Sequence, residues 1–213
     1  MTAAVVEAAE LGGALASLAP PGVRTGALPV DGAHVEEMFR QESVSVANAV
    51  AARRAEFATG RALARRLLGR RLPLPVGADR APEWPVGFVG SIAHDRRVVL
   101  AAVGAASQVA SLGVDLEAIG AMTADEGALV LRDDEVGIDA RLAFVLKEAV
   151  YKAWSASGGR FLEFHDVRLH VERDRFRGEV VPDGGTVEGR FTAAAGRWVA
   201  LACCPAAGEV SPA

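Results

Sequence analysis

Lysine is almost missing from this 213-residue chain: it occurs twice, as Lys147 and Lys152, in a sequence rich in arginine. Cysteine also occurs twice, as the neighbours Cys203 and Cys204. Adjacent cysteines rarely bridge each other, so no disulfide scaffold is on offer and a reduced, cytoplasmic setting is expected. A long hydrophobic run is missing too. The longest uncharged stretch, Val98 to Val114, is interrupted by Gly104, Ser107, Gln108 and Ser111. It is short for a membrane span and predicts two buried strands joined by a turn. Glu7 and Glu10 precede any Lys or Arg, which is not the pattern of a secretory leader. The net charge of -4 gives no global sign of a nucleic-acid surface. No Walker loop, dinucleotide glycine fingerprint, HExxH, CxxC or GxSxG is present, and His34, His165 and His170 lack metal-ligand spacing.

With 51% hydrophobic and 23% charged residues, the composition is that of a soluble globular protein, long enough for one large domain or two small lobes. Residues 1–30 mix Ala-rich and Gly/Pro segments and predict a strand or two with loose ends. A helix is predicted from Ser43 or Ser45 to Leu68, with Val46, Val50, Phe57, Ala64, Leu67 and Leu68 at helical spacing and Gly69 as its stop. Residues 69–91 read as a long Pro- and Gly-rich loop holding Trp84 and Phe88. Strands follow over Arg97–Val103 and Gln108–Asp115, then a short helix and loop over 123–137. A second clear helix spans Arg141–Ser155 and stops at Ser157-Gly158-Gly159. Strands are predicted over Val167–Val171, Phe176–Val181, Thr186–Phe191 and Trp198–Cys204, with a disordered tail over 206–213. Helix then strands, given twice, divides the chain at residues 1–105 and 106–205.

Two segments carry acid. Asp115 and Glu117 lie two apart on a predicted strand, so both carboxylates project from one face. Glu148 and Lys152 are i,i+4 neighbours on the second long helix, with Lys147 and Tyr151 beside them. Like charges placed together repel, and a cation among them removes the cost. Carboxylate oxygens supplemented by phosphate and water suit Mg²⁺, which points to a phosphorylated partner.

The base lies upstream. Arg53, Arg54, Arg61, Arg65 and Arg66 stud the first long helix, and Arg53, Phe57 and Arg61 fall four apart with Gly60 close by. Planar guanidinium forks around a small residue suit a phosphate monoester. Arg80 follows in the loop. Gly90-Ser91 reads as a turn that offers backbone N–H groups and a hydroxyl to phosphate, with His94 reaching the same oxygens.

In order, Arg53-Arg54-Ala55-Glu56-Phe57-Ala58-Thr59-Gly60-Arg61, Trp84 through His94, Gly113-Val114-Asp115-Leu116-Glu117 and Lys147 through Trp154 resemble the signature motifs of 4'-phosphopantetheinyl transferases. The monomeric two-lobed group that includes the enterobactin synthase component and the surfactin-type enzymes is the nearest in pattern. The resemblance implies an α+β fold of two similar α/β lobes related by a pseudo-two-fold axis, with the 3'-phosphate and adenosine side of coenzyme A held by residues 1–105 and the metal and catalytic helix in 106–205. It implies transfer of 4'-phosphopantetheine from coenzyme A to a serine of an apo acyl, polyketide or peptidyl carrier protein in secondary-metabolite or siderophore assembly. By match to the motifs, Asp115, Glu117 and Glu148 would hold Mg²⁺, with Mn²⁺ as a substitute. Arg53, Arg61, Arg80, Ser91 and His94 would hold the 3'-phosphate and adenosine end. Lys152, with Lys147, would contact the pyrophosphate. Catalysis would fall to Glu148 and Lys152, with either Glu148 or a metal-bound water taking the serine proton. Departures from the pattern are Val145, Ala93, the Asp95–Val98 region and Arg80. A catalytically silent coenzyme A- or carrier-binding module and a Mg²⁺-dependent phosphohydrolase are the alternatives. The second of these leaves the arginine helix without a role.

Overall fold

The apolar runs beyond residue 87 fold into antiparallel strands, and the two helical stretches lie across them. The structure is a computed structural model that describes residues 2–77 and 80–205; the tail expected over 206–213 lies outside the described residues. The fold is mixed α+β, with two sheets. The first holds β1 (Arg24–Pro29), β2 (Phe88–His94) and β3 (Val98–Ala105) in the order β1-β3-β2. The second holds β4 (Val109–Ala118), β5 (Val167–Glu172), β6 (Arg175–Val180), β7 (Gly185–Ala194) and β8 (Arg197–Pro205) in the order β4-β8-β7-β6-β5. The sheets meet where β2 lies beside β4, and there the Val114 N–H donates to Ser91 Oγ at 2.9 Å.

Residues 1–30 differ from expectation. Ala3–Leu18 form α1, and only then does β1 follow. The Gly12-Gly13 pair lowers intrinsic helix propensity, but Ala8, Leu11, Leu15 and Leu18 recur at helical spacing and are buried against β3, β4 and β8. Packing of this apolar stripe outweighs propensity. The helix touches both sheets. Arg197 fastens it, donating to Glu7 at 2.6 Å and to Asp95, in the turn after β2, at 2.6 Å.

A 3-10 turn (Gly32–Glu37) and the short α2 (Arg40–Ser43) precede α3, which begins at Ala51 rather than near Ser45 because Val50 is extended. The helix ends at Leu68, where Gly69 adopts φ 67°, the left-handed conformation that closes a helix. The loop expected over 69–91 ends sooner, at the start of β2. Short α4 (Ala124–Val130) leads to α5 (Ala140–Ala156), capped by Asp139, which accepts from the Leu142 N–H at 2.9 Å. Leu142, Val145, Leu146, Ala149, Val150 and Ala153 bury one side of α5 on the second sheet. Gly113 permits this close seat. A Cβ there would lie 1.9 Å from the Ala149 carbonyl oxygen, inside the helix backbone. The glycine thus brings the turn of α5 that bears Glu148 and Lys152 directly onto β4. Among the described residues no helix is long and apolar enough to cross a membrane.

Candidate functional site

On β4, strand alternation sends Asp115 and Glu117 to one side. Seated by Gly113, α5 delivers Lys152 to Asp115. Lys152 Nζ donates to Asp115 Oδ1 at 2.6 Å and to the Val114 carbonyl at 3.1 Å. Asp115 is only 7% exposed, and its Oδ2 is buried without a partner. Burial pushes the Asp115 carboxyl up, against the pull of Lys152. Burial and the neighbouring charge of Asp115 push Glu117 up. Glu148 is raised by burial as well, with Asp115 and Glu117 adding to the effect against Lys152. Asp115 thus adds to the rise of both Glu117 and Glu148, and Lys152 opposes the rise of all three.

Among the described residues, no three Asp, Glu, His or Cys side chains are gathered closely enough to hold a metal ion by themselves. The donors present nevertheless fit a hard divalent cation. Asp115 has an orphaned buried oxygen, Glu117 shares its face, and such an ion takes its other ligands from phosphate and water.

The arginine helix faces a cavity of about 470 Å³ lined by Arg53, Glu56, Gly60, Arg61, Arg80 and His94, among others. Arg53 and His94 meet there, the guanidinium donating to His94 Nε2, and Glu56 lies 3.3 Å from Arg53 and 3.6 Å from His94 Nδ1. Burial and then the charge of Arg53 lower the His94 pKa, which favours a neutral imidazole able to accept. Arg61 is 5% exposed; it stacks on Phe57 at 4.2 Å and donates from Nε to the Leu74 carbonyl at 2.7 Å. Burial lowers its pKa to about 10, which leaves it charged at neutral pH. Arg80 overhangs the cavity from a turn in which it takes φ 66°.

The basic and acidic groups adjoin. The charge of Lys152 contributes to the depression of His94, and that of Asp95, the residue after His94, to the rise of Glu117. On the far side of Glu148 a second cavity of about 500 Å³ opens, lined by Leu129, Tyr151, Phe161 and Phe164 among others.

Two expected residues lie elsewhere. Ser91 is on a strand, not a turn, and alternation turns it away from His94. Ser91 is 5% exposed and its hydroxyl accepts the Val114 N–H between the sheets, so it does not line the arginine cavity. Lys147 is 1% exposed and also turns away from the acids. Its three donors go to Glu135 at 2.8 Å, the Val130 carbonyl at 2.8 Å and the Phe164 carbonyl at 3.0 Å. On a helix, five residues separate it from Lys152 by more than a third of a turn, so the two ammonium groups serve opposite sides.

Arg141 lies outside the signature motifs. On the first turn of α5, it opposes the rise of Glu117, and its Nε is buried without a partner. Its place two turns before Glu148 was the available signal.

Residues 41–104 match the 4'-phosphopantetheinyl transferase N-terminal domain. The chain is 38% identical over 185 residues to the 4'-phosphopantetheinyl transferase Svp of Streptomyces mobaraensis, covering 78% of this chain and 75% of that protein. It is 32% identical over 185 residues to the 4'-phosphopantetheinyl transferase PptT of Mycobacterium tuberculosis, covering 74% and 79%. It is 31% identical over 181 residues to the 4'-phosphopantetheinyl transferase Npt of Nocardia iowensis, covering 72% and 80%. Similarity this high, spanning both the arginine helix and the acidic strand and helix, has a direct consequence: the chain belongs to the 4'-phosphopantetheinyl transferase family.

Proposed function

We propose that this chain transfers the 4'-phosphopantetheine group of coenzyme A to a serine of an apo carrier protein and releases adenosine 3',5'-bisphosphate. The observation that carries this reading is the adjoining of a cavity of guanidinium groups and a desolvated acidic group with its own lysine. Coenzyme A has a terminal 3'-phosphate and an internal pyrophosphate, two anionic groups that match these two places. Arg53, Arg61, Arg80 and His94 would take the 3'-phosphate and adenosine end, and Lys152 the pyrophosphate. Asp115, Glu117 and Glu148 would hold Mg²⁺ or Mn²⁺, for which the unpartnered Asp115 oxygen is the support. A bound divalent cation would neutralise charge building on the leaving bisphosphate.

The serine oxygen attacks the β-phosphorus, the bond from that phosphorus to the bridging oxygen breaks, and the electron pair leaves on the bisphosphate. Glu148 is the group suited to take the serine proton. It lines the apolar cavity, which gives access to it, and a water on the bound cation would be the alternative base.

The reading extends to a cytoplasmic monomer acting on carriers of secondary-metabolite or siderophore assembly. The free cysteines support the compartment. It also divides the chain into a coenzyme A-holding part, 1–105, and a metal-holding part, 106–205, supported by the two separate sheets.

The test is the intact mass of an apo carrier protein after incubation with enzyme, coenzyme A and Mg²⁺, and the expected result is one added phosphopantetheine. Glu148→Gln should slow transfer by about 100-fold or more while calorimetry still detects coenzyme A binding. Near-normal turnover in that variant removes Glu148 as the base. Tight coenzyme A binding with no mass gain on acyl, polyketide or peptidyl carriers would make the chain a silent binding module.

A further inference from the structure

Glu42 is 0% exposed, and it lines no part of the arginine cavity. Burying a carboxylate is costly unless its oxygens are fully used. Here they are. Arg65, on α3, donates from one terminal nitrogen to both oxygens at 2.7 and 3.0 Å, the Phe39 N–H donates to Oε2 at 2.9 Å, and the Leu74 N–H donates to Oε1 at 2.8 Å. Arg65 also reaches the Glu37 carbonyl at 3.4 Å and lies over the Phe39 ring at 5.4 Å.

The Leu74 bond matters most. Pro73 and Pro75 have no N–H, so Leu74 supplies the single backbone donor of residues 73–75. Glu42 takes that donor, and Arg61 Nε takes the Leu74 carbonyl. From this anchor a narrow turn grows outward. The Glu83 N–H donates to the Pro75 carbonyl at 2.9 Å, Val76 bridges Pro82, and the Gly77 N–H donates to the Ala81 carbonyl at 2.8 Å. At its end the Arg80 N–H donates to the Gly77 carbonyl at 3.0 Å. Val76, Arg80 and Pro82 of this turn wall the cavity. An apolar pair in place of Glu42 and Arg65 would fill the same space, but it would leave the Leu74 and Phe39 N–H groups without their acceptor.

We propose that Glu42 and Arg65 are positioning residues for the coenzyme A cavity: their buried pair grips Leu74 and thereby fixes the turn that holds Arg80 over Arg53 and Arg61. The proposal rests on the reading of this cavity as the nucleotide end of the site. Only ground-state binding of a remote part of the substrate is at stake, so the effect belongs in the KM for coenzyme A.

The experiment is steady-state kinetics of E42L/R65M, which keeps the core filled, with coenzyme A and carrier protein varied in turn. The expected result is a rise of about tenfold in the coenzyme A KM, from the lost anchor, with kcat and the carrier KM within about twofold. Glu42→Gln, read by the rate at which trypsin cuts after Arg80, gives a second measurement that needs neither the double variant nor activity; faster cutting is expected. An unchanged coenzyme A KM in folded E42L/R65M overturns the proposal, as does a fall in kcat at constant KM or an unchanged cutting rate in Glu42→Gln. Arg53→Ala runs alongside. If it raises the coenzyme A KM while the Glu42 variants do not, the cavity reading stands and this proposal falls alone. If Arg53→Ala leaves that KM unchanged, the cavity reading fails and takes the proposal with it.

Discussion

Two buried glutamates hold the two halves of the molecule in parallel ways. Glu42 precedes α3 and Glu135 precedes α5. Each accepts the backbone N–H three residues before it, from Phe39 at 2.9 Å and from Arg132 at 2.9 Å. Each pairs with a cation on the following helix, Arg65 at 2.7 Å and Lys147 at 2.8 Å. Each accepts a further N–H beyond that helix, from Leu74 at 2.8 Å and from Leu169 at 2.7 Å. The difference lies in the cation. Arg65 gives one terminal nitrogen to both oxygens of Glu42 and turns the other toward the Glu37 carbonyl, whereas Lys147 spreads its three donors over Glu135, Val130 and Phe164 and so ties three segments at one point. Burial lowers the Lys147 pKa, and the contact with Glu135 opposes that. The comparison teaches that Lys147, beside Glu148, is used up in joining scaffold segments, while Lys152, four residues after Glu148, reaches Asp115 on β4.

The change that should break both sides of the second half at once is Gly113→Ala. A methyl group at the Ala149 carbonyl forces α5 off β4 and carries Lys147 and Lys152 away together. A destabilisation above about 4 kcal/mol is expected, with no folded protein recovered at 37 °C. A normal urea transition would show that α5 is not seated as described.

A smaller change separates the two lysines. Lys147→Met leaves the Glu135 carboxylate buried and unpaired, and should cost about 3–5 kcal/mol in urea unfolding. Adding Glu135→Leu should restore only the part due to the unpaired charge, because the Arg132 and Leu169 N–H groups then lose their acceptor. Lys152→Met should abolish most transfer and cost less stability than Lys147→Met, since Lys152 lies at the more exposed edge of its pair and Asp115, already pushed up by burial, can take on a proton in its place. Equal loss of stability in the two single variants would erase the distinction between scaffold and site.

Much of this was legible in the sequence, and the errors have physical causes. Alternation put Asp115 and Glu117 on one face, and the i,i+4 spacing put Glu148 beside Lys152. The same alternation separates Ser91 from His94, but only once residues 88–94 are recognised as strand; the Gly90-Ser91 pair suggested a turn instead. Helix α1 was hidden by Gly12 and Gly13, although the spacing of Ala8, Leu11, Leu15 and Leu18 was there to read. The glutamate anchors could not be read at all. Glu42 finds partners 23 and 32 residues away and Glu135 finds them 12 and 34 residues away, and tertiary packing alone chooses them.

The least effect expected is one of pH, and it sharpens the contrast between a cavity of guanidinium groups and a cluster of acids. Burial holds the carboxyl of Asp115 above its ordinary value, and burial together with the charge of neighbouring acids does the same for Glu117 and Glu148. Between those ordinary values and the raised ones the folded state binds more protons than the unfolded chain. Stability therefore falls as pH climbs through that window and stays reduced above it. Glu7 and Asp95 act in the opposite sense. Burial pushes both up, but their contacts with Arg197 and Arg97 more than offset it, so their contribution is present above the ordinary carboxylate values and lost as pH falls through the lowered ones. A divalent cation among the three acids should relieve the first effect and leave the second untouched. The Tm gained on adding Mg²⁺ should thus be small at the acid end of the window and grow with pH, reaching ~2–4 °C for each kcal/mol of binding in a protein of this size. Thermal melts over a pH series, with and without Mg²⁺, measure it. A gain that is the same at every pH, or one that survives Asp115→Asn unchanged, would mean that the ion binds somewhere other than among these carboxylates.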